Sequence, residues 1–314
     1  MNKEEEKKYY VGIDVSKNQF DIYLLPTQKH ITITNDAKSI KSLIKVLSTL
    51  SDALIVMEAT GGYEKPLAIA LKKAGFSIAV VNPRQIRDFA KALGKLAKTD
   101  KIDAHVIALF AEKIQPQPSF SIDEKREKLA ELTTRRTQLL DMMTMERNRL
   151  DKLSLESKKS INRILKALQK ELVDIEAQQQ TLIQQDAHYS ELLNILLSVK
   201  GVGVVVATIL IANLPELGHL TSRQIAALVG LAPFNHDSGK LRGKRAIRGG
   251  RASVRCPLYM ATLVAIKHNL KIKTFYQRLL AAGKLKKVAI TACMRKLIVC
   301  LNAMVKNRNS WITC

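Results

Sequence analysis

The order of apolar and polar positions in the first hundred residues predicts short strands alternating with amphipathic helices. Strands are predicted at 10–15, 20–25, 30–34, 53–59 and 76–81. Helices are predicted at 37–50, 63–74 and 84–93. The first two strands flank a polar turn and are each only partly apolar, a pattern typical of a hairpin. The last two are continuous apolar runs and are therefore expected to be buried on both faces of a sheet.

Two carboxylates interrupt this apolar pattern. Asp14 lies in the first strand, and Glu58 lies near the end of the fourth. The element order is typical of a ribonuclease-H-like α/β domain, in which these two strands are neighbours, so Asp14 and Glu58 are predicted to lie side by side. A carboxylate in an apolar strand costs several kcal/mol to desolvate unless a partner or a metal compensates it. Asp14 is therefore either a turn-capping residue near water or a metal ligand.

Two more carboxylates, Asp100 and Asp103, lie three residues apart and share one face of a predicted helix. Thr99 or Asp100 is equally suited to cap the start of that helix. If all four carboxylates converge, their oxygen-only ligand set suits Mg²⁺ or Mn²⁺, with Asp14 as the bridging ligand. His105 is a further candidate ligand, although a single helical histidine is more often an ordinary packed or surface residue.

The rest of the chain changes character twice. Residues 123–188 contain neither Pro nor Gly and repeat Leu and Ile at three- and four-residue steps, which predicts a long helical hairpin or coiled coil. A helix, a Gly-x-Gly turn at 199–203 and a second helix then indicate either a helix-hairpin-helix or a plain helical hairpin. We therefore predict a catalytic domain at 1–118, a coiled-coil or helical linker at 119–188 and a mostly helical basic domain at 189–314.

Charge points to a polyanionic partner. The chain has 314 residues and a formal net charge of +23, and residues 238–314 contain 18 Lys or Arg and no Asp or Glu. Nucleic acid is the leading candidate for that partner. The charged N-terminus lacks the apolar stretch of a signal peptide, and the longest apolar run, 204–214, is too short to span a bilayer, so we expect a cytoplasmic protein. Four cysteines without metal-ligand spacing are interpreted as reduced thiols: Cys256, Cys293, Cys300 and Cys314.

A glycine-rich basic loop at 235–251 carries the second group of candidate residues. Ser238 lies in a strongly positive stretch that would stabilise an attacking alkoxide, with His236 and Asp237 as possible proton acceptors. A Ser-Gly pair in such a loop is more often a turn or a phosphate contact than a nucleophile. The candidate nucleic-acid-binding residues are Lys200, Gly201, Gly203, Lys240, Arg242, Lys244, Arg245, Arg248, Arg251 and Arg255.

Taken together, these motifs resemble the DEDD-type insertion-sequence transposases of the one-hundred-and-ten family, bridge-RNA-guided recombinases related to the pilin-gene invertase. The motifs that carry the resemblance span nearly the whole chain: Gly-Ile-Asp-Val-Ser-Lys at 12–17, Glu-Ala-Thr-Gly-Gly-Tyr at 58–63, Val-Asn-Pro at 81–83, Lys-Thr-Asp at 98–100, Asp-Ala at 103–104, Val-Lys-Gly-Val-Gly at 199–203, Gly-Leu-Ala-Pro at 230–233 and Ser-Gly at 238–239.

This resemblance implies several properties of the chain. Its N-terminal domain is expected to be Holliday-junction-resolvase-like, with Mg²⁺ bound by Asp14, Glu58, Asp100 and Asp103. Ser238 is expected to form a transient phosphoserine link to DNA. The long helices are expected to mediate homo-oligomerisation, as a dimer or tetramer, so that the acids of one subunit act with the serine of another. A non-coding RNA is expected to pair with donor and target DNA.

Three functions remain open from the sequence. The first is a transposase or site-specific recombinase that uses both Ser238 and the metal site. The second is a metal-dependent Holliday-junction-type nuclease in which Ser238 only contacts phosphate. The third is a non-catalytic nucleic-acid-binding protein whose carboxylates are caps and surface residues.

Overall fold

The computed structural model describes residues 8–50, 52–95, 99–118, 123–150, 154–235, 237–238, 241–243 and 245–311, without the side chains of 241 and 242. Contacts divide the chain into two compact units, Met1–Ile122 and Asp123–Cys314. The segment predicted as a separate linker, 119–188, lies mostly within the second unit, and the predicted three-domain boundaries stay predictions.

The first unit is built on a five-stranded mixed sheet. Its strands are β1 (Lys8–Val15), β2 (Gln19–Leu25), β3 (Lys29–Thr34), β4 (Asp52–Glu58) and β5 (Ser77–Val81). They lie in the order β3-β2-β1-β4-β5. The hairpin strands β1, β2 and β3 pair antiparallel, whereas β4 is parallel to both β1 and β5. The predicted strands are therefore confirmed to within one or two residues.

Helices cover both faces of this sheet. They are α1 (Ala37–Leu47), α2 (Lys65–Lys73), α3 (Pro83–Ala92) and α4 (Asp100–Ile114). Apolar residues of α1 and α2 pack on one face, where Ile13 and Ile55 are fully buried. Those of α3 and α4 pack on the other face against β4 and β5, where Val56 is fully buried. A strand that is buried on both faces needs apolar residues at consecutive positions, which explains the continuous apolar run in β4.

The second unit begins with a long helical hairpin, as predicted. Helix α5 spans Glu124–Arg149 and α6 spans Leu155–Gln184. Arg136 of α5 pairs with Glu176 of α6 at 2.8 Å, and Lys125 pairs with Asp186 at 2.8 Å just beyond α6, so the two helices run antiparallel. Leucines and a methionine fill the seam between them.

The remainder of the second unit is mostly helical. Its helices are α7 (Ala187–Leu197), α8 (Val204–Asn213), α9 (Ser222–Leu228), α10 (Ala252–His268), α11 (Leu270–Ala281) and α12 (Lys286–Asn307). Within the described residues, α12 is the one helix long and apolar enough to cross a membrane. Its Cys293, Leu297, Ile298 and Leu301 are fully buried in the cores of this unit, so we interpret α12 as a core helix.

The basic loop predicted at 235–251 forms short strand pairs together with the two residues before it. They are β6 (Pro233–Phe234), β7 (Asp237–Ser238), β8 (Leu241–Arg242) and β9 (Ala246–Ile247). Strand β6 pairs antiparallel with β9, and β7 pairs antiparallel with β8. The loop therefore forms two nested strand pairs, with Ser238 on the inner one.

Candidate active site

The sheet brings the first two predicted carboxylates together. Strand β1 runs parallel to β4 with Ile13 opposite Met57, so Asp14 and Glu58 follow at adjacent positions on neighbouring strands. Side chains at such positions project from the same face of a sheet. The predicted adjacency of these two strands is confirmed.

Helix α4 lies unusually close to β1 beside this pair. A Cβ atom added at Gly12 would lie 2.2 Å from the backbone nitrogen of Ala108 and 2.4 Å from the carbonyl oxygen of Ala104. Gly12 is two residues before Asp14, so a side chain at position 12 would project from the same face of the sheet as that of Asp14. The missing side chain lets the start of α4, which carries Asp100 and Asp103, approach the sheet where Asp14 lies.

The helix cap is provided by a neighbour of the carboxylates. Thr99 is the N-cap of α4, and its hydroxyl accepts a hydrogen bond from the backbone N–H of Ile102 at 3.3 Å. Of the two residues that the sequence offered for this role, Thr99 fills it. Asp100 is the first residue of the helix instead, and its carboxylate contacts the side-chain amide of Gln19 at 3.4 Å.

The four carboxylates share one electrostatic environment. The pKa of Asp14 is raised to about 6, first by its burial and then by the negative charges of Asp103, Glu58 and Asp100. Repulsion of this kind is relieved by a proton or by a cation. Carboxylates that are distant from Asp14 in the sequence therefore contribute to raising the pKa of its carboxyl group.

This donor set fits a hard divalent cation, because all four groups supply carboxylate oxygens. Across the described residues, no three His, Cys, Asp or Glu side chains lie close enough together to form a ready-made metal site. Asp14, Glu58, Asp100 and Asp103 are the residues that would hold the ion, with Asp14 central because the other three act on it.

His105, the further ligand candidate, makes other contacts. Its ring lies 4.4 Å from that of Tyr23, and its Nδ1 accepts a hydrogen bond from the ammonium group of Lys95 at 3.1 Å. Burial first and then the charge of Lys95 lower the pKa of His105. These contacts support the packed-residue interpretation.

A fifth carboxylate on the same face was missed by sequence reasoning. Asp21 lies directly opposite Asp14 in the β1–β2 register and is 5 % exposed. Its oxygens accept hydrogen bonds from Gln19, His30 and Thr32. The period-two alternation of polar residues at 19 and 21, and again at 30 and 32, was the available signal.

Ser238, the candidate nucleophile, lies on β7 opposite Leu241 and is exposed, as is Asp237 beside it. Arg245 and Arg248 are also exposed, and the guanidinium of Arg248 lies 5.7 Å from the ring centroid of Phe234. Several predicted residues of this loop lie outside the described part of the chain: His236, Gly239, Lys240, Lys244 and the side chain of Arg242.

Two predicted phosphate ligands make internal contacts instead of facing solvent freely. Both terminal nitrogens of Arg251 donate to the carboxylate of Glu216, at 2.5 and 2.6 Å. Arg255 donates to the backbone carbonyls of Val229 and Gly249. These contacts give both arginines a structural role in the second unit.

The Gly-x-Gly turn between α7 and α8 also has a packing explanation. Gly201 has a φ of +111°, and a Cβ there would lie 2.7 Å from the backbone nitrogen of Ala265 on α10. Gly203 is the N-cap of α8 and has open space around it, and Lys200 is exposed. Gly201 is therefore required by close helix packing, whereas Lys200 and Gly203 remain accessible to a ligand.

Comparison with known proteins identifies the family. A model of DEDD-type transposases matches residues 11–158, and a model described as transposase of the IS116/IS110/IS902 family matches residues 193–277. The chain therefore belongs to this transposase family, and its activity is that of a DNA transposase or recombinase. DNA is its substrate, and the family uses divalent metal in general.

Two individual relatives extend the match to 95% of the chain. The pilin gene-inverting protein of Moraxella bovis is 28% identical over 309 residues, which cover 95% of this chain and 96% of that protein. The pilin gene-inverting protein of Moraxella lacunata is equally similar. The 42 kDa protein of insertion element IS900 from Mycobacterium paratuberculosis is 31% identical over 145 residues, 45% of this chain and 35% of its own length.

Proposed function

We propose that this transposase cuts and exchanges DNA strands with Mg²⁺ or Mn²⁺ held by Asp14, Glu58, Asp100 and Asp103, and with Ser238 as its nucleophile. One observation carries the metal site: three carboxylates from β4 and α4 raise the pKa of Asp14 on β1. The strand order and the helices on both faces support a ribonuclease-H-like assignment for the first unit. The inversion activity named for the Moraxella relatives supports site-specific recombination.

The proposed chemistry divides between the two units. Divalent ions, when bound, stabilise the charge that develops on the phosphate oxygens. Ser238 Oγ forms a bond to phosphorus while one DNA oxygen leaves, and the serine proton is passed on to that leaving oxygen. A DNA hydroxyl then displaces Ser238 and rejoins the strands, so the number of phosphodiester bonds is conserved.

A cleavage assay separates this proposal from its alternatives. Asp14→Asn should abolish strand cleavage in a recombinase and in a junction nuclease, and it should change nothing in a non-catalytic binder. Ser238→Ala should abolish covalent protein–DNA adducts in a recombinase but leave hydrolysis intact in a junction nuclease. DNA binding should survive Asp14→Asn, because a negative charge facing phosphate is removed. If the Ser238→Ala protein still hydrolyses DNA, the proposed function is wrong and the protein is a nuclease.

Guidance by a non-coding RNA belongs to the same proposal. The 18 Lys and Arg at 238–314 can neutralise the phosphates of RNA as well as those of DNA. RNA extracted from the purified protein should be enriched in one structured transcript encoded beside the gene. Recombination in a reconstituted reaction that lacks any RNA would contradict guidance.

We also propose a homo-oligomer in the cytoplasm, associated with the nucleoid, in which one subunit's acids act with another's Ser238. Mixing the Asp14→Asn and Ser238→Ala proteins should restore adducts, attached only to the Asp14→Asn subunit. An inactive mixture that nevertheless forms mixed oligomers would place both groups in one subunit.

A further inference from the structure

Asp21 is the most deeply buried carboxylate of the first unit's described residues that makes no direct contribution to the proposed chemistry. It is 5 % exposed and lies opposite Asp14, so both side chains project from the face that α4 covers. A buried charge of this kind requires compensating donors. Three are present: the hydroxyl of Thr32 at 2.7 Å, Nε2 of His30 at 3.0 Å and the amide of Gln19 at 2.9 Å.

These contacts occupy both oxygens of Asp21. Thr32 and His30 approach Oδ1, and Gln19 donates to Oδ2. Asp21 is therefore suited to fixing the orientation of its neighbours rather than to binding an ion itself. The side chain whose orientation it fixes is Gln19.

Gln19 links this buried group to the acidic cluster. Its Nε2 carries two hydrogens, and the same nitrogen lies 2.9 Å from Asp21 Oδ2 and 3.4 Å from Asp100 Oδ2. A carboxamide is the one uncharged side-chain group that can donate to two carboxylates at once from a single nitrogen. Asp100 begins α4, where a helix end is least constrained by its own hydrogen bonds.

We infer that Gln19, held in place by Asp21 and Thr32, is a positioning residue that orients Asp100 toward the ion bound by the acidic cluster. The inference rests on the proposed metal site and names a residue outside the four acids. Partners that orient a ligating carboxylate commonly change metal affinity about 10- to 100-fold when removed. The 3.4 Å contact between Gln19 and Asp100 is long and should shorten when Asp100 is drawn to an ion.

Mn²⁺ binding tests this inference without relying on catalysis. Binding is measured on the full chain from the loss of the free Mn²⁺ signal in electron paramagnetic resonance, with Mg²⁺ as competitor. Gln19→Met keeps the side-chain length and removes both donors, and it should raise the Kd for Mn²⁺ about ten-fold. Thr32→Val removes one hydrogen bond to Asp21 without changing the charge. It should raise the Kd for Mn²⁺ less, about two- to three-fold.

Gln85→Met is the matched control, because Gln85 is exposed on α3 of the same unit. It should bind Mn²⁺ as the wild type does. A purely structural role for Gln19 would lower the melting temperature of the metal-free protein and leave the Kd unchanged, and that result would overturn the inference.

Asp14→Asn in the same assay separates this inference from the proposed function. If Asp14→Asn and the wild type bind Mn²⁺ equally, the metal site itself is wrong. If Asp14→Asn loses binding while Gln19→Met keeps wild-type affinity, the metal site stands and only the role assigned to Gln19 is wrong.

Discussion

The acidic cluster and the serine strand pair are built in opposite ways. Asp14 lies on a central strand between the buried residues Ile13 and Val15, and α4 packs against that strand at backbone distance. Ser238 lies on a two-residue strand, exposed, in a stretch of short strand pairs. Regular elements therefore set the backbone positions of the acids before any ligand arrives, whereas Asp237 and Ser238, the described residues of the inner strand β7, are exposed. We interpret the first as a site on a fixed scaffold and the second as one that DNA completes.

The largest expected effect comes from removing the central acid. Asp14→Asn should reduce strand cleavage at least about a thousand-fold, because metal stabilisation of the transition state contributes several kcal/mol. Gel assays of labelled DNA measure the loss, and filter binding on the same preparation checks that DNA affinity is retained. A strand-cleavage rate within ten-fold of the wild-type rate would show that Asp14 is not a catalytic residue.

The next effect concerns the close contact that positions α4. Gly12→Ala forces a Cβ into backbone atoms of Ala104 and Ala108, which cannot rotate away. Overpacking of this kind costs about 1–3 kcal/mol of unfolding free energy, and a shift of about 1 Å at the acids should cost about 100-fold in cleavage. Urea unfolding and the cleavage assay measure the two effects.

Gly203→Ala is the stability control for that substitution. Its φ is −94° and its surroundings are open, so alanine meets no clash there, and the loss of a glycine N-cap should lower the unfolding free energy by less than about 1 kcal/mol. If Gly12→Ala is equally mild, the packing explanation of the acidic site is wrong.

Two arginines of the basic loop, Arg245 and Arg251, have different surroundings, and their substitution should have different effects. Arg245→Ala should leave stability unchanged and reduce the slope of log affinity against log salt by about one, because one phosphate contact is lost. Arg251→Ala should instead destabilise the second unit by about 1–2 kcal/mol, because it removes two hydrogen bonds to the partly exposed Glu216. Salt titrations of DNA binding and denaturant unfolding separate the two outcomes. Equal salt slopes for the two variants would contradict this division.

The smallest effect is a pH dependence in the metal-free protein. The folded state keeps a proton on Asp14 up to about pH 6, whereas the unfolded chain loses it near pH 4. The folded state therefore binds more protons in this window, and the free energy of unfolding falls as pH rises from about 4 to 6. Asp14→Asn should gain about 1 kcal/mol over wild type between pH 4 and pH 8, after allowance for solvent screening.

Denaturant unfolding in a chelating buffer measures that gain, and added Mg²⁺ provides the internal check. Mg²⁺ should stabilise the wild type at pH 8 and leave Asp14→Asn unchanged. A pH-independent difference between the two proteins would show that neither burial nor the neighbouring acids raise the pKa of Asp14 in the folded protein.

Local patterns in the sequence were enough to predict the elements of the first unit and the faces they present. Apolar runs located the strands, and the spacing of Asp100 and Asp103 placed them on one helix face. Contacts between distant residues that have no pattern of their own could not be predicted. The pairing of Arg251 with Glu216 is one case, since a basic stretch looks the same whether or not an arginine folds back. The packing of Gly12 against α4 is another, because small residues become informative only once the helix and strand are known to cross.

The covalent DNA adduct, mapped by peptide mass spectrometry, tests the central claim most directly. In wild-type protein incubated with substrate DNA and Mg²⁺, we expect a phosphodiester link at Ser238 that disappears in Asp14→Asn or when Mg²⁺ is chelated. Recombination in which the linkage maps to another residue, or which proceeds unchanged in Ser238→Ala, would contradict the claim that the acidic cluster and Ser238 act on one phosphate.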